Sequence, residues 1–291
     1  MKVAVVANPA KSLGGGLLEL RRVLERAGVA DPLWYEVARS RKAPAALEQA
    51  LAEGAELVFA WGGDGLVQRC IDALAGSDIP LGVLPAGTSN LLATNLELPL
   101  DIADAVAVGL GGERRRIDVG RINGERFAVM AGSGIDAAMI RDADRGLKDR
   151  LGRVAYVWAG LKNLRSDPFV AKVKVDGVSW FKGDVTCVLI GNLGGLFEGI
   201  EVFGDARPDD GKLEVGVITA DGFAQWARTA ARTMVAAADT SPFVQATKAQ
   251  SVKVKLNRKV LYELDGGDRS KTKSFKVKVE PAAVTLCVPR S

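Results

Sequence analysis

The sequence predicts two unlike halves: an α/β first half built on a parallel sheet, and a β-rich, antiparallel, sandwich-like or barrel-like second half. Three observations carry this expectation. Unbroken apolar runs at Val3–Ala7, Leu57–Trp61 and Leu81–Leu84 alternate with segments of helical period, as strands covered by helices on both faces do. Near Arg115 the pattern changes to short strand-like runs separated by Gly and Asp turns. The chain has 291 residues, enough for two domains at roughly 100–200 residues each.

The elements follow in order. Val3 to Ala7 reads as the first strand. Leu17, Leu20, Leu24 and Ala27 recur at helical spacing, and Gly28 is a natural stop. Leu33 to Val37 is a second strand. Pro44 sits in the first turn of a helix that ends near Glu53, before Gly54. Leu57–Trp61 and Leu81–Leu84 are further strands, each followed by a glycine-rich turn and a helix. Residues 115–131 read as strands, and 136–165 as a helical stretch interrupted by Gly146 and Gly152. Beyond Pro168, strands are expected at 169–176, 185–191, 213–219, 251–256, 259–264 and 275–279, with one helix near 222–238.

Composition narrows the chemistry. Histidine is absent, which excludes Ser-His-Asp and Cys-His catalysis and zinc sites that need imidazole. Acid–base work falls to Asp, Glu, Lys or Tyr, and any metal is expected to be a hard ion held by oxygen, such as magnesium. Cys70, Cys187 and Cys287 are far apart and odd in number, which argues for reduced thiols in a cytoplasmic protein. No apolar stretch reaches the ~18–20 residues that span a bilayer, and the N-terminus reads as a strand, not a signal peptide. Net charge is +4 but uneven: residues 251–291 hold ten Lys/Arg against four Asp/Glu. These read either as solvated strand faces or as attraction to an anionic surface. A membrane fits better than nucleic acid, because no basic–aromatic motif stands out.

Three loops fall at the carboxyl ends of the first-half strands, where open α/β sheets place ligands. They are Asn8-Pro9-Ala10, Gly62-Gly63-Asp64-Gly65 and Pro85-Ala86-Gly87-Thr88-Ser89-Asn90. Glycines let backbone amides approach phosphate oxygens, and the following helix N-termini add positive potential. Asp64 is the odd member, since a bare acid repels phosphate. It implies either a metal or a tight network of donors. No Gly-Lys-Ser/Thr ends the glycines, so this is neither a P-loop nor the dinucleotide fingerprint.

"GGDGLVQ" followed by "LPAGTSNLLATNL" resembles the diacylglycerol kinase catalytic-domain family, which includes bacterial lipid kinases and sphingosine kinases and is related to NAD kinases. "NPAKSLGG" at the start, "GNLGGLFEGIEVFGDARPDDGKLEV" at 191–215 and "YELDGGD" at 262–268 extend the resemblance over nearly the whole chain. It implies an α/β nucleotide domain at 1–122, a β-rich lipid-substrate domain at 123–275, and a tail at 276–291 that returns to the first domain. It implies ATP and Mg2+ as cofactors. Gly62, Gly63, Asp64 and Gly65 would cradle phosphates, with Asn8, Ser40, Gly87, Thr88 and Asn90 assisting. Asp64 would join a magnesium-centred network. Asp210 would hold a second, structural magnesium, completed by the backbone carbonyls of Arg207 and Lys212, although Asp209-Asp210-Gly211 also reads as a plain hairpin turn.

The departures matter. Leu66 stands where the family has Thr, and Leu91 where it has Asp. Gly267 stands where the family has the Glu that deprotonates the lipid hydroxyl, and glycine is no base. A general base contributes roughly 10²–10⁴-fold. Phosphoryl transfer depends mostly on positioning and charge, so the loss slows the reaction without abolishing it. Asp265 is expected in the site network and Asp268 as a stand-in base, although Asp265-Gly266-Gly267-Asp268 also reads as a hairpin turn. Three functions follow: an ATP-dependent lipid kinase acting on a hydroxyl such as that of diacylglycerol, a non-catalytic nucleotide- or lipid-binding homologue, and a kinase for a soluble metabolite such as NAD. The expected partner is a lipid substrate at the membrane surface, reached by peripheral contact, with no nucleic acid. A homodimer stays open. The basic stretch Arg141–Arg153 reads either as an amphipathic docking surface or as a domain-bridging helix with a solvated face.

Overall fold

The structure, a computed structural model, describes residues 1–134, 168–197, 200–220 and 243–290. The expected helices at 136–165 and 222–238, including Arg141–Arg153, lie outside the described residues. The chain divides into two compact units, Met1–Val119 with Pro281–Ser291, and Gly120–Glu280.

The first unit contains β1 (Val3–Ala7), α1 (Gly16–Arg26), β2 (Leu33–Glu36), α2 (Ala43–Ala52), β3 (Leu57–Gly62), α3 (Asp64–Leu74), β4 (Leu81–Pro85), α4 (Leu91–Asn95) and α5 (Ile102–Gly111). The strands run parallel in the order β2-β1-β3-β4. β1, β3 and β4 are buried along their whole length, which is why their sequences are uninterrupted apolar runs. β2 is the half-buried edge. Helix α1 turns Leu20 and Leu24 onto a core shared with Phe59, Trp61 and Leu84. Asp101 caps α5 by accepting the amides of Ala103 and Asp104 at 2.8 and 3.2 Å.

β5 (Glu113–Ile122) leads into the second unit, which is antiparallel. Its strands are β6 (Glu125–Phe127), β7 (Met130–Ser133), β8 (Phe169–Val175), β9 (Val178–Val185), β10 (Cys187–Gly191), β11 (Gly195–Phe197), β12 (Ile200–Glu201), β13 (Leu213–Ile218), β14 (Val244–Ala249), β15 (Ser251–Val260), β16 (Tyr262–Leu264), β17 (Gly267–Asp268) and the start of β18 (Thr272–Val288). One sheet runs β18-β15-β8-β9 and another β14-β13-β10-β7-β16-β17. Alternate residues of both sheets meet in one core: Val173, Val254 and Val277 from the first, Ile190, Val215 and Leu264 from the second. The architecture is a sandwich.

Residues from Pro281 onward belong to the first unit, where Leu286 of β18 pairs in parallel with Leu81. Ala282 takes a left-handed φ of 47°. It is fixed there by its amide on Asp118 Oδ1 at 2.7 Å and by Arg116 Nε on its carbonyl at 3.0 Å.

Five strands escape the sequence expectation: the short β11, β12 and β17, and the longer β9 and β14. β9 reads VSWFKGDV, mostly polar, because it is an edge strand with one solvated face. β14 is likewise an edge and carries a single buried residue, Ala249.

Candidate active site

In the first unit the carboxyl ends of β1, β3 and β4 are stitched together by the chain itself. The Asn8 amide donates to the Trp61 carbonyl at 2.9 Å, and the Ala86 amide to the Gly62 carbonyl at 2.9 Å. Asn8 spends its side-chain oxygen on the Ala10 amide at 3.0 Å, so its side chain shapes the turn.

The loops after β3 and β4 touch backbone to backbone. A Cβ added at Gly87 would stand 2.5 Å from the Gly63 Cα and 2.8 Å from Asn90 Oδ1, and one added at Gly63 would stand 3.1 Å from the Gly87 Cα. Only glycine at both places permits this approach. Asn90 locks the second loop: its Oδ1 accepts the Gly87 amide at 2.8 Å and its Nδ2 donates to the Gly87 carbonyl at 3.2 Å. Asn90 adopts φ 48°, a left-handed conformation that Asn tolerates better than most residues. Ser40 is brought in from the turn before α2, its Oγ 3.8 Å from where a Gly65 Cβ would sit. Gly65 and Thr88 are exposed. The structure thus gathers Ser40, Gly62, Gly63, Asp64, Gly65, Gly87 and Asn90 at one sheet edge. Leu66, in place of the family's Thr, is buried and packs onto Gly62.

Asp64 answers the question its acidity raised. Its Oδ1 accepts a short hydrogen bond from the Leu91 amide, and the neighbouring amides of Asn90 and Leu92 add positive potential. Burial pushes its carboxyl above the ordinary aspartate range, while these amides and its own pull the other way. The acid is the tie between the first turn of α3 and the start of α4.

In the second unit, Asp265 is buried with φ 45°. Its carboxylate accepts the amides of Ala128, Val129 and Met130, each at 2.9 Å. These bonds pin the chain before β7, and the residue expected in the site network is committed to backbone. Asp268 is exposed and pairs in register with the buried Glu263. Beside Gly267 stands Arg269, its Nη1 2.9 Å from the place of a Cβ there and 3.0 Å from the Gly267 carbonyl. Arg269 also holds Glu125 through Nε and Nη2, both at 2.9 Å to Oε2. Sequence reasoning missed Arg269 and Glu125, since 144 residues separate them.

Among the residues expected to hold a structural magnesium, the Asp210 carboxylate is already engaged by protein donors. Asp210 Oδ1 accepts the Lys212 amide at 3.0 Å, and Oδ2 lies 3.4 Å from the Lys248 ammonium. Arg207 and Lys212 are exposed. Among the described residues, no group of three or more Cys, Asp or Glu is placed to hold a metal.

Comparison with known proteins covers both units. Residues 2–122 match the diacylglycerol kinase catalytic domain, and residues 129–288 the YegS C-terminal NAD kinase beta sandwich-like domain. A diacylglycerol kinase from Bacillus subtilis is 31% identical over 256 residues, 86% of this chain and 83% of that protein. One from Mycobacterium tuberculosis is 30% identical over 251 residues, 84% of this chain and 80% of that protein. Among solved structures, a diacylglycerol kinase from Bacillus anthracis superposes with a TM-score of 0.78 at 22% identity, covering 99% and 96% of the two chains. An NAD kinase from Archaeoglobus fulgidus in complex with ATP gives 0.53 at 11% identity, covering 99% and 93%.

Proposed function

The chain belongs to the diacylglycerol kinase catalytic-domain family, and on that premise we propose that it is an ATP-dependent lipid kinase with diacylglycerol as its leading acceptor. The observation that carries the proposal is the backbone contact between Gly63 and Gly87. Two loops stripped of side chains, ending in the first turns of helices, suit a row of phosphate oxygens and little else. Ser40 and Thr88 add hydroxyls at that edge. Asp64 keeps the two loops in register without presenting its charge to the ligand.

In the reaction, the lipid hydroxyl oxygen attacks the γ-phosphorus, the bond to the ADP oxygen breaks, and the hydroxyl proton leaves. Most of the acceleration comes from positioning and charge, with little early proton removal. Gly267 takes no proton, and Asp265 is committed to three amides. Asp268, the exposed acid of the segment, is the proton acceptor in this proposal.

Peripheral contact with an anionic bilayer is supported by the outer face of the second unit's first sheet. Lys276, Lys253 and Lys174 lie directly opposite one another across β18, β15 and β8, and Lys255, Lys172 and Lys182 across β15, β8 and β9. All six are exposed. Like charges directly opposed cost a sheet stability, and an anionic surface repays it. No helix among the described residues is long and apolar enough to cross a membrane.

The deciding experiment offers labelled γ-phosphate from Mg-ATP to micellar diacylglycerol, monoacylglycerol, ceramide and sphingosine, and to NAD. Labelled diacylglycerol is expected. Labelled NAD alone overturns the lipid acceptor. No transfer, with nucleotide still bound, favours the non-catalytic homologue, which the guanidinium of Arg269 beside Gly267 supports.

A further inference from the structure

The loop between β12 and β13 gathers oxygen atoms around one nitrogen. Lys248 reaches in from β14, directly opposite Glu214 of β13. Its Nζ lies 3.0 Å from the Asp205 carbonyl oxygen, 3.0 Å from Glu214 Oε1 and 3.4 Å from Asp210 Oδ2. An ammonium has three N–H donors, and here it meets three acceptors. The Glu214 side chain is only 11% exposed, so this carboxylate needs a neighbouring cation. The ammonium donates to Glu214, and the Asp210 carboxylate adds its negative charge beside it. The other half of the Asp210 carboxylate closes its own turn on the Lys212 amide, with Gly211 at φ 71°.

We propose that Lys248 is the resident cation of the 205–214 loop, and that its ammonium does there what a bound divalent ion would do. Magnesium requires near-octahedral oxygens at about 2.0–2.1 Å and gives up its water reluctantly. The ammonium occupies the centre of this oxygen set at hydrogen-bond radius, and a second cation there meets direct repulsion. Entry of the metal also displaces the partner of the buried Glu214. The loop therefore keeps its shape without divalent metal, and the protein's magnesium requirement reduces to that of its nucleotide. The inference does not rest on lipid kinase activity, and its test uses nucleotide-free protein.

The test is thermal unfolding of the full chain in EDTA and in millimolar magnesium. The wild type is expected to unfold at the same temperature in both. Lys248→Met keeps the aliphatic stem and removes the charge. It is expected to unfold earlier in EDTA and to recover part of the loss in magnesium, because the oxygen set is then open. A magnesium-dependent rise in the wild type that Asp210→Asn abolishes overturns the proposal. So does a Lys248→Met protein as stable as wild type and indifferent to magnesium. Should Lys248→Met fail to fold, the wild type is titrated with Mn2+ and amide resonances of residues 205–214 are followed. Unchanged signals support the internal cation. Paramagnetic broadening confined to the loop refutes it.

Discussion

Gly65 separates a phosphate cradle from a mere turn, because the two make opposite predictions for alanine. Gly65 is the second residue of α3, is exposed and is not among the residues of positive φ. An added Cβ meets only Ser40 Oγ, at 3.8 Å, an ordinary contact. Nothing in the ligand-free protein resists the methyl group. Alanine in a helix is favoured over glycine by roughly 0.5–1 kcal/mol. In a chain of this size that raises the unfolding midpoint by about 1–4 °C. A phosphate oxygen seated on the first-turn amides meets the same methyl group and loses a charge-assisted hydrogen bond worth about 1.5–3 kcal/mol. Nucleotide affinity then falls by roughly 10- to 100-fold. Differential scanning fluorimetry reads the first number and titration with a fluorescent ATP analogue the second. A Gly65→Ala protein that binds ATP as the wild type does refutes the cradle. One that loses stability refutes the geometry on which the prediction stands.

Gly87→Ala should lose more activity than Gly63→Ala, because its Cβ meets the facing backbone at 2.5 Å against 3.1 Å. Relieving the closer contact moves a loop by about 1 Å, a displacement that costs on the order of 10²-fold in turnover; the reverse order contradicts the packing. Asp265→Asn presents an amide nitrogen to one of the three backbone N–H groups that the carboxylate accepts. The expected loss is about 1–3 kcal/mol in urea unfolding, and unchanged stability with lost turnover would instead return Asp265 to catalysis. Replacing Lys174 and Lys253 by Gln should weaken binding to anionic vesicles by roughly 25-fold at about 1 kcal/mol per lysine, without lowering stability; equal vesicle binding removes this face from the membrane contact. Burial holds the Cys70 thiol up to about 12 and the Cys287 thiol up to about 11. The unfolded chain loses these protons near about 8.5 while the folded chain keeps them, so stability falls as pH rises above that value. A midpoint that stays level from about pH 8 to 10 would count against this linkage.

The parallel strands of the first unit were legible because burial on both faces leaves no room for polar residues. β9 and β14 were not, because an edge strand with one wet face has a weak period. The oddity of Asp64 was legible too, since an acid beside a phosphate site demands either metal or donors. Its donor was not, because the Leu91 amide lies 27 residues away and only the fold brings it near. Lys248 was hidden for a related reason. Its partnership with Glu214 depends on the pairing of β13 with β14, and β14 carries little signal of its own. Asp265 stood out in the sequence as an acid beside glycines, but a sequence does not distinguish a carboxylate that serves amides from one that serves a substrate.

The last strand has a consequence for how this chain comes off the ribosome. Thr272 to Glu280 supply β15 with its neighbour, and Leu286 supplies one for Leu81. Until residues 281–288 emerge, β4 stands as an open, apolar edge, the kind of surface on which nascent chains aggregate. A nonsense codon near Pro281 therefore strips the first unit of the strand beside β4, although most of that unit's own sequence has been translated.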